Sequence, residues 1–137
     1  VIPSKLTYAM IKPAFGSCYG LIRHKWFSKL QFKSLKIKQE LFDDYYKDTC
    51  GIAKHNMIAF LQANSLYSIK ESIEKCTAKV KVFVGERENA AMKKSAQIIN
   101  ENLKSSSLRV MRKMYHGEFS INHANDYVEE ILAMVKA

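Results

Sequence analysis

The sequence predicts an α+β sandwich in which helices cover an antiparallel sheet. Three observations support this prediction: strand-like and helix-like segments alternate through the first half of the chain, a polar, loop-rich stretch follows, and one amphipathic helix closes the sequence. The chain holds 5 glycines and 2 prolines, and no linker, repeat or low-complexity tract interrupts it. Residues 1–137 are therefore predicted to form a single domain.

The first half of the chain supplies the alternating segments. Lys5 to Lys12 is rich in β-forming residues and is stopped by Pro13, which predicts a first strand. Gly20 to Leu30 places its apolar residues on one helical face. Ser34 to Leu41 alternates as a half-buried strand would, and helical spacing returns from Ile52 to Leu61.

The second half is less regular. A third strand is predicted from Leu66 to Ile69. Glu74 to Val84 fits both a strand and a helix, and we predict a helix. Ala90 to Leu103 is compatible with a polar helix, and Asp126 is predicted to cap a final helix. The buried stripe of that helix is predicted to hold Val128, Ile131, Leu132 and Val135.

Composition narrows the function classes. An apolar fraction of 47% is sufficient for one core, and the longest apolar runs fall far short of the roughly 20 residues that span a bilayer. We therefore expect no membrane-spanning segment. Cys18, Cys50 and Cys76 form no C-x-x-C pair, which argues against a disulfide framework or a zinc site. A reducing compartment, and hence the cytoplasm, is the expected location.

The charge balance favours anionic partners. Lysine and arginine number 22 against 13 acidic residues, which gives a net charge of +9. Such a field raises the local concentration of nucleotides, nucleic acids or acidic proteins. A nucleic-acid-binding domain is a weaker alternative, because no aromatic residues are interleaved with the lysines. The chain has neither G-x-G-x-x-G nor G-x-x-x-x-G-K-[ST], so nucleotide chemistry would depend on cationic side chains.

Four short motifs then occur in a definite order. They are Thr7 to Pro13 (T-x-x-x-I-K-P), Val84 to Arg87 (V-G-E-R), Ser107 to Arg109 (S-L-R) and Ser120 to Asp126 (S-I-N-H-A-N-D). Their order and spacing resemble the nucleoside diphosphate kinase family, over nearly the whole chain. The resemblance implies a ferredoxin-like βαββαβ domain that transfers the γ-phosphate of a nucleoside triphosphate to a nucleoside diphosphate. It also implies Mg²⁺ bridging the nucleotide phosphates and a homo-oligomer, a hexamer or smaller.

The same resemblance assigns roles to individual residues. His123 is the expected phosphate-accepting nucleophile, since a neutral imidazole can hold phosphate between two half-reactions. Lys12 and Arg109 are expected to stabilise the transferred charge. The further site residues that the resemblance implies are Tyr45 and Glu130 beside the histidine, and Lys81, Arg87 and Ser120 beside the nucleotide.

Two alternatives stay open from the sequence. A kinase-like domain that has lost efficient turnover could act as a nucleotide-binding or assembly module, because Met134 stands where the family has an orienting glutamate. His116 is the rival nucleophile, because it lies in the same loop region as His123. Without that role, His116 is expected to be a surface residue, like His24 and His55.

Overall fold

The computed structural model describes residues 2–136, which divide into two compact units, 2–68 and 69–136. The first unit is entirely helical. Its helices are α1 (Lys5–Cys18), α2 (Lys25–Leu35), α3 (Phe42–Gly51) and α4 (Lys54–Leu66), with 3-10 turns at Tyr19–Arg23 and Gln39–Leu41. The single-domain prediction stays a prediction, and each unit is described by itself.

The prediction of a first strand from Lys5 to Lys12 is wrong, because this segment lies in α1. The Ser4 side chain caps the helix by accepting a hydrogen bond from the Thr7 amide at 3.2 Å. Pro13 lies inside the helix instead of ending a strand. Ile11 is the buried residue of α1, whereas Leu6 is 75% exposed, so the β-forming residues of this segment do not form a buried strand.

An aromatic cluster forms the core of the first unit. Phe32 is 2% exposed and packs edge-on against Phe42, with ring centroids 5.4 Å apart. The Tyr45 ring also packs against Phe32, with the two ring centroids 5.1 Å apart. The predicted strand from Ser34 to Leu41 is wrong, because α2 continues to Leu35 and Lys36 then adopts a left-handed conformation that turns the chain.

The second unit combines helices with a small parallel sheet. After a 3-10 turn at Glu71–Lys75 come β1 (Val80–Gly85), α5 (Ala90–Asn102) and β2 (Ser106–Met111). The strands pair in parallel from Val80 opposite Ser106 to Gly85 opposite Met111. Parallel strands need a crossover connection, which α5 provides. Helices α6 (Glu118–Asn122) and α7 (Ala124–Lys136) follow.

The predicted fold class is therefore wrong. Residues 2–136 are mostly helical, and their sheet has two parallel strands, whereas a ferredoxin-like βαββαβ sandwich needs an antiparallel sheet. The predicted strand from Leu66 to Ile69 is absent from this part of the chain, and the end of the predicted helix from Glu74 to Val84 is β1. Val80, Val82 and Val84 lie in β1, so their two-residue spacing corresponds to a strand and not to the predicted helix.

Two helix predictions in this unit are confirmed. The predicted helix from Ala90 to Leu103 is α5, and the Asn89 side chain caps it by accepting from the Met92 amide at 2.9 Å. The final helix is α7, although it begins at Ala124, so Asp126 lies in its first turn and not at its cap. The predicted buried stripe of this helix is wrong, because Val128, Ile131, Leu132 and Val135 are 41–79% exposed. Within residues 2–136, no helix is both long and apolar enough to cross a membrane.

Candidate active site

The loops that follow β1 and β2 lie at the same edge of the sheet. The carboxyl ends of parallel neighbouring strands point the same way, so residues just beyond Gly85 and just beyond Met111 are brought together. Open sheets of this kind place their functional groups beyond the carboxyl ends of the strands. Here the loop after β1 carries Glu88 and the loop after β2 carries His116.

Glu88 and His116 form a close acid–histidine pair, although they are 28 residues apart in the chain. Nδ1 of His116 lies 2.7 Å from Oε1 of Glu88. The Glu88 side chain is 7% exposed and the His116 side chain is 72% exposed. An ionised carboxylate can only accept, so Nδ1 donates to it and carries the proton. Nε2, on the other side of the ring, is then left as a base.

Short hydrogen bonds join the two loops that carry the pair. The Arg87 amide donates to the Met114 carbonyl at 2.9 Å, and the Lys113 amide donates to the Glu86 carboxylate at 2.6 Å. The backbones are so close at Gly85 that an added Cβ would lie 2.4 Å from the Met114 carbonyl oxygen. Only glycine fits there, and this close approach sets the distance between the two loops.

The second loop also has its own constraints. Lys113 adopts a left-handed conformation with φ 60°, and Gly117 follows with φ 69°. Between them the Tyr115 amide donates to the Glu118 carboxylate at 2.8 Å. Two residues in the left-handed region thus lie on either side of His116 in the sequence, and the constrained backbone there holds a fixed loop conformation around the histidine.

A cavity of about 560 Å³ adjoins the pair. Its wall combines both members of the pair with apolar residues of the strands and helices. The helix residues that line it include Met92, Ala96 and Ile99 of α5, Phe119 of α6 and Tyr127 of α7. An apolar cavity beside an acid–histidine pair is the usual setting of an organic-substrate site.

Three of the predicted site residues meet elsewhere, as an ion-pair cluster. Glu130 of α7 accepts from Lys81 of β1 at 2.8 Å, and its second oxygen accepts from Arg109 of β2. The hydrogen bond from Lys81 and the charges of both cations hold the pKa of Glu130 below its usual range, against the opposing effect of burial. The carboxylate thus occupies the two cations that were expected to bind phosphate.

The other predicted site residues are described within their own units. Lys12 is an exposed residue of α1 and Tyr45 packs in the aromatic core, both in the first unit. In the second unit, Arg87 lies over the Tyr115 ring at 5.3 Å, and the Ser120 hydroxyl donates to the Gly117 carbonyl at 3.1 Å.

The predicted nucleophile does not meet its predicted partners. His123 lies 3.9 Å from the Asp126 carboxylate, beyond hydrogen-bond distance. Among the described residues no side-chain hydrogen bond joins His123 to Arg87, Arg109 or Glu130. Within the second unit, the His123 imidazole is therefore not hydrogen-bonded to these predicted partners.

The sequence reasoning missed Glu88 and treated His116 as a surface residue or a rival nucleophile. One signal could have found them: an alternating apolar run that ends in Gly85, followed at once by acidic residues and later by a second strand with a histidine beyond it. That order predicts a parallel pair whose loops meet. The family resemblance instead predicts a phosphate-binding role for the motif Val84 to Arg87.

Comparison with known proteins found a fold but no family. No protein-family model and no curated protein matches the chain. Among solved structures, it is similar to an esterase (EaEST) from Exiguobacterium antarcticum, with a TM-score of 0.69 and 16% identity. The likeness shows the fold. It covers 98% of this chain and 50% of the esterase chain, so these residues span half the length of that protein.

The kinase interpretation is overturned by these findings. A solved structure with a similar fold is that of an esterase, and residues 2–136 lack the antiparallel sheet that the family resemblance implied. The resemblance rested on motifs of three to seven residues. In the structure Thr7 to Pro13 lies in α1, whereas Val84 to Arg87 and Ser107 to Arg109 lie on or directly after the two paired strands. The alternative of a kinase-like domain that acts as a nucleotide-binding or assembly module is wrong for the same reasons. The expectations of Mg²⁺, nucleotide partners, nucleic acid and a homo-oligomer stay untested predictions.

Proposed function

We propose that this chain supplies the acid–base pair of an ester hydrolase. The observation that carries the proposal is the 2.7 Å contact between the exposed His116 imidazole and the buried Glu88 carboxylate, at the carboxyl ends of two parallel strands. The similarity to an esterase fold supports the same reaction class. We place the protein in the cytoplasm, because Cys18, Cys50 and Cys76 are unpaired thiols.

In the proposed reaction, Nε2 of His116 removes the proton from an attacking hydroxyl group as its oxygen bonds to the ester carbonyl carbon. The resulting imidazolium is stabilised by the Glu88 carboxylate. When the tetrahedral intermediate collapses, the bond to the leaving alkoxide breaks and His116 returns the proton to that oxygen. Attack by water on the acyl group repeats these steps and releases the acid.

We assign the attacking hydroxyl group to polypeptide outside these residues. Within residues 2–136 no serine, threonine or cysteine side chain hydrogen-bonds to His116. In α/β hydrolases the nucleophile comes first in the chain, the carboxylate second and the histidine last. Glu88 precedes His116 here, and the matching esterase is twice as long, so both observations are consistent with a nucleophile contributed from an earlier segment.

Hydrolysis of p-nitrophenyl acetate and butyrate by the protein at its native length tests the proposal. We expect His116→Ala to lower kcat by about 10²–10⁴-fold, because general base catalysis contributes that much. His123→Ala is the matched control: it removes a histidine from the same unit, and we expect it to retain activity within about twofold.

Two outcomes would contradict the proposal. One is a wild-type protein that does not hydrolyse either ester. The other is equal loss of activity in both histidine variants, with circular dichroism showing that each is folded.

A further inference from the structure

Positive charge is concentrated at the start of the chain. The first 39 residues hold eight lysines and arginines and no aspartate or glutamate, so they carry eight of the nine net positive charges. Five of the eight are lysines of α2 or of the turn that follows it: Lys25, Lys29, Lys33, Lys36 and Lys38. A segment of this composition attracts a polyanionic surface, because no carboxylate side chain within it offsets the lysines.

Helix α2 carries apolar side chains on its outer side as well as on its inner side. Ser28 and Phe32, one turn apart, are buried at 0% and 2% exposure. Trp26 and Leu30, also one turn apart, are each 64% exposed. Since each residue turns the helix by about 100°, Trp26 and Leu30 lie on the side opposite the buried pair. We call Trp26 and Leu30 the outer face of α2.

Lysines border the outer face along one side. Lys25, Lys29 and Lys33 follow one another at four-residue intervals, so they form a row along the helix. Lys25 pairs with Asp43 at 3.1 Å, and Lys29 lies over the Phe42 ring at 5.8 Å. Among the described residues, Asp43 therefore offsets the first lysine of the row, and the other two leave a net positive charge beside the outer face.

We propose that α2 binds the surface of an anionic lipid bilayer and lies in the plane of that surface. Trp26 and Leu30 enter the boundary between the headgroups and the acyl chains, where tryptophan is favoured. Lys29 and Lys33 pair with the lipid phosphates beside them. The compartment proposed above contains a suitable surface, since the cytoplasmic leaflet of a membrane is anionic.

Nucleic acid is the rival polyanion, and it suits the outer face less well. A phosphate backbone would pair with the lysines, but Leu30 would gain no apolar contact, whereas a bilayer buries it. The outer face belongs to the first unit, and the Glu88–His116 pair belongs to the second. The inference therefore goes beyond the proposed ester hydrolysis and does not depend on it.

Tryptophan fluorescence tests the insertion directly, because Trp26 is the single tryptophan of these 137 residues. The protein at its native length is mixed with vesicles of phosphatidylserine and phosphatidylcholine in equal parts, or with vesicles of phosphatidylcholine alone. We expect the mixed vesicles to shift the emission of wild type to shorter wavelength, and we expect Trp26→Phe to lack this shift. Phosphatidylcholine alone should produce a smaller shift or none.

Vesicle flotation then measures what the lysines contribute. Lys29→Gln combined with Lys33→Gln should weaken binding to the mixed vesicles by about 30-fold, since each lysine near an anionic surface contributes roughly fivefold. Lys93→Gln combined with Lys94→Gln is the matched control, because it removes the same charge from exposed positions of α5. We expect this control to bind within about threefold of wild type.

Three results would overturn the proposal, with circular dichroism showing that each variant is folded. One is an emission of wild type that the mixed vesicles do not change. Another is equal weakening in the two double-lysine variants, which would assign binding to the net charge and not to α2. The third is binding to single-stranded or duplex DNA that requires Lys29 and Lys33, without flotation on vesicles.

Discussion

Glu88 and Glu130, two carboxylates of the second unit, both pair with basic side chains, but the number and kind of those partners suit them to different roles. Glu88 has one partner, the His116 imidazole, whose ring is largely exposed. Glu130 has two, Lys81 and Arg109, and is saturated by them. A histidine held by one buried carboxylate keeps a free nitrogen that can take up a proton. A carboxylate between two permanent cations has no partner nitrogen that can take up a proton. Glu130 instead joins α7 to the two strands of the sheet through its ion pairs.

The largest effect that separates the two carboxylates is expected in catalysis. Glu88→Gln keeps the shape of the side chain but removes the charge that stabilises the His116 imidazolium, so we expect kcat for p-nitrophenyl butyrate to fall by about 10²–10⁴-fold. Glu130→Gln should leave kcat within about twofold. Glu101→Gln, at an exposed position of α5, controls for the loss of a surface charge. Equal losses at Glu88 and Glu130 would remove the distinction between the two carboxylates.

The same contrast explains what the sequence could predict. Helices α5 and α7 follow from periodicity within one segment. The alternation of Val80, Val82 and Val84 is also present in the sequence, although the segment from Glu74 to Val84 is predicted to be a helix. The Glu88–His116 pair depends on which strands become neighbours, and that information is not local. The resemblance predicts that Lys81 and Arg109 bind phosphate, but local sequence does not show that the Glu130 carboxylate lies between them.

The next effect concerns the close approach between the two loops. Gly85→Ala places a methyl group against the Met114 carbonyl, so the loops must separate and the pair must lengthen. We expect a loss of roughly 1–3 kcal/mol in the free energy of unfolding and a fall in esterase kcat. Gly16→Ala is the matched control, because nothing lies within 4 Å of its added Cβ and alanine favours a helix. If chemical denaturation finds Gly85→Ala as stable as Gly16→Ala, the close approach does not constrain the loops.

A smaller effect is expected from the carboxylate that joins these loops without touching the imidazole. Glu86→Ala leaves the Lys113 amide without its acceptor, and we expect a loss of about 1 kcal/mol in the free energy of unfolding. Because Glu86 positions the loop and takes no proton, the pH profile of ester hydrolysis should keep its shape while kcat falls. A shift in that profile would place Glu86 in the acid–base chemistry beside Glu88.

The smallest effect is a pH dependence of stability that belongs to the Glu130 cluster. The pKa of Glu130 is lowered in the folded protein from its ordinary value of 4.5, chiefly by the hydrogen bond from Lys81. A group with a lowered folded pKa stabilises the protein above its unfolded pKa, and this contribution disappears as the pH falls through the folded value. Wild type should therefore have a higher Tm than Glu130→Gln at pH 7, and the difference should shrink as the pH is lowered through the acid range. Glu129→Gln, on the exposed side of the same helix, should show no such convergence. A Tm difference that is independent of pH would mean that Glu130 stabilises α7 by packing and not by charge, and the contrast with Glu88 would then rest on catalysis alone.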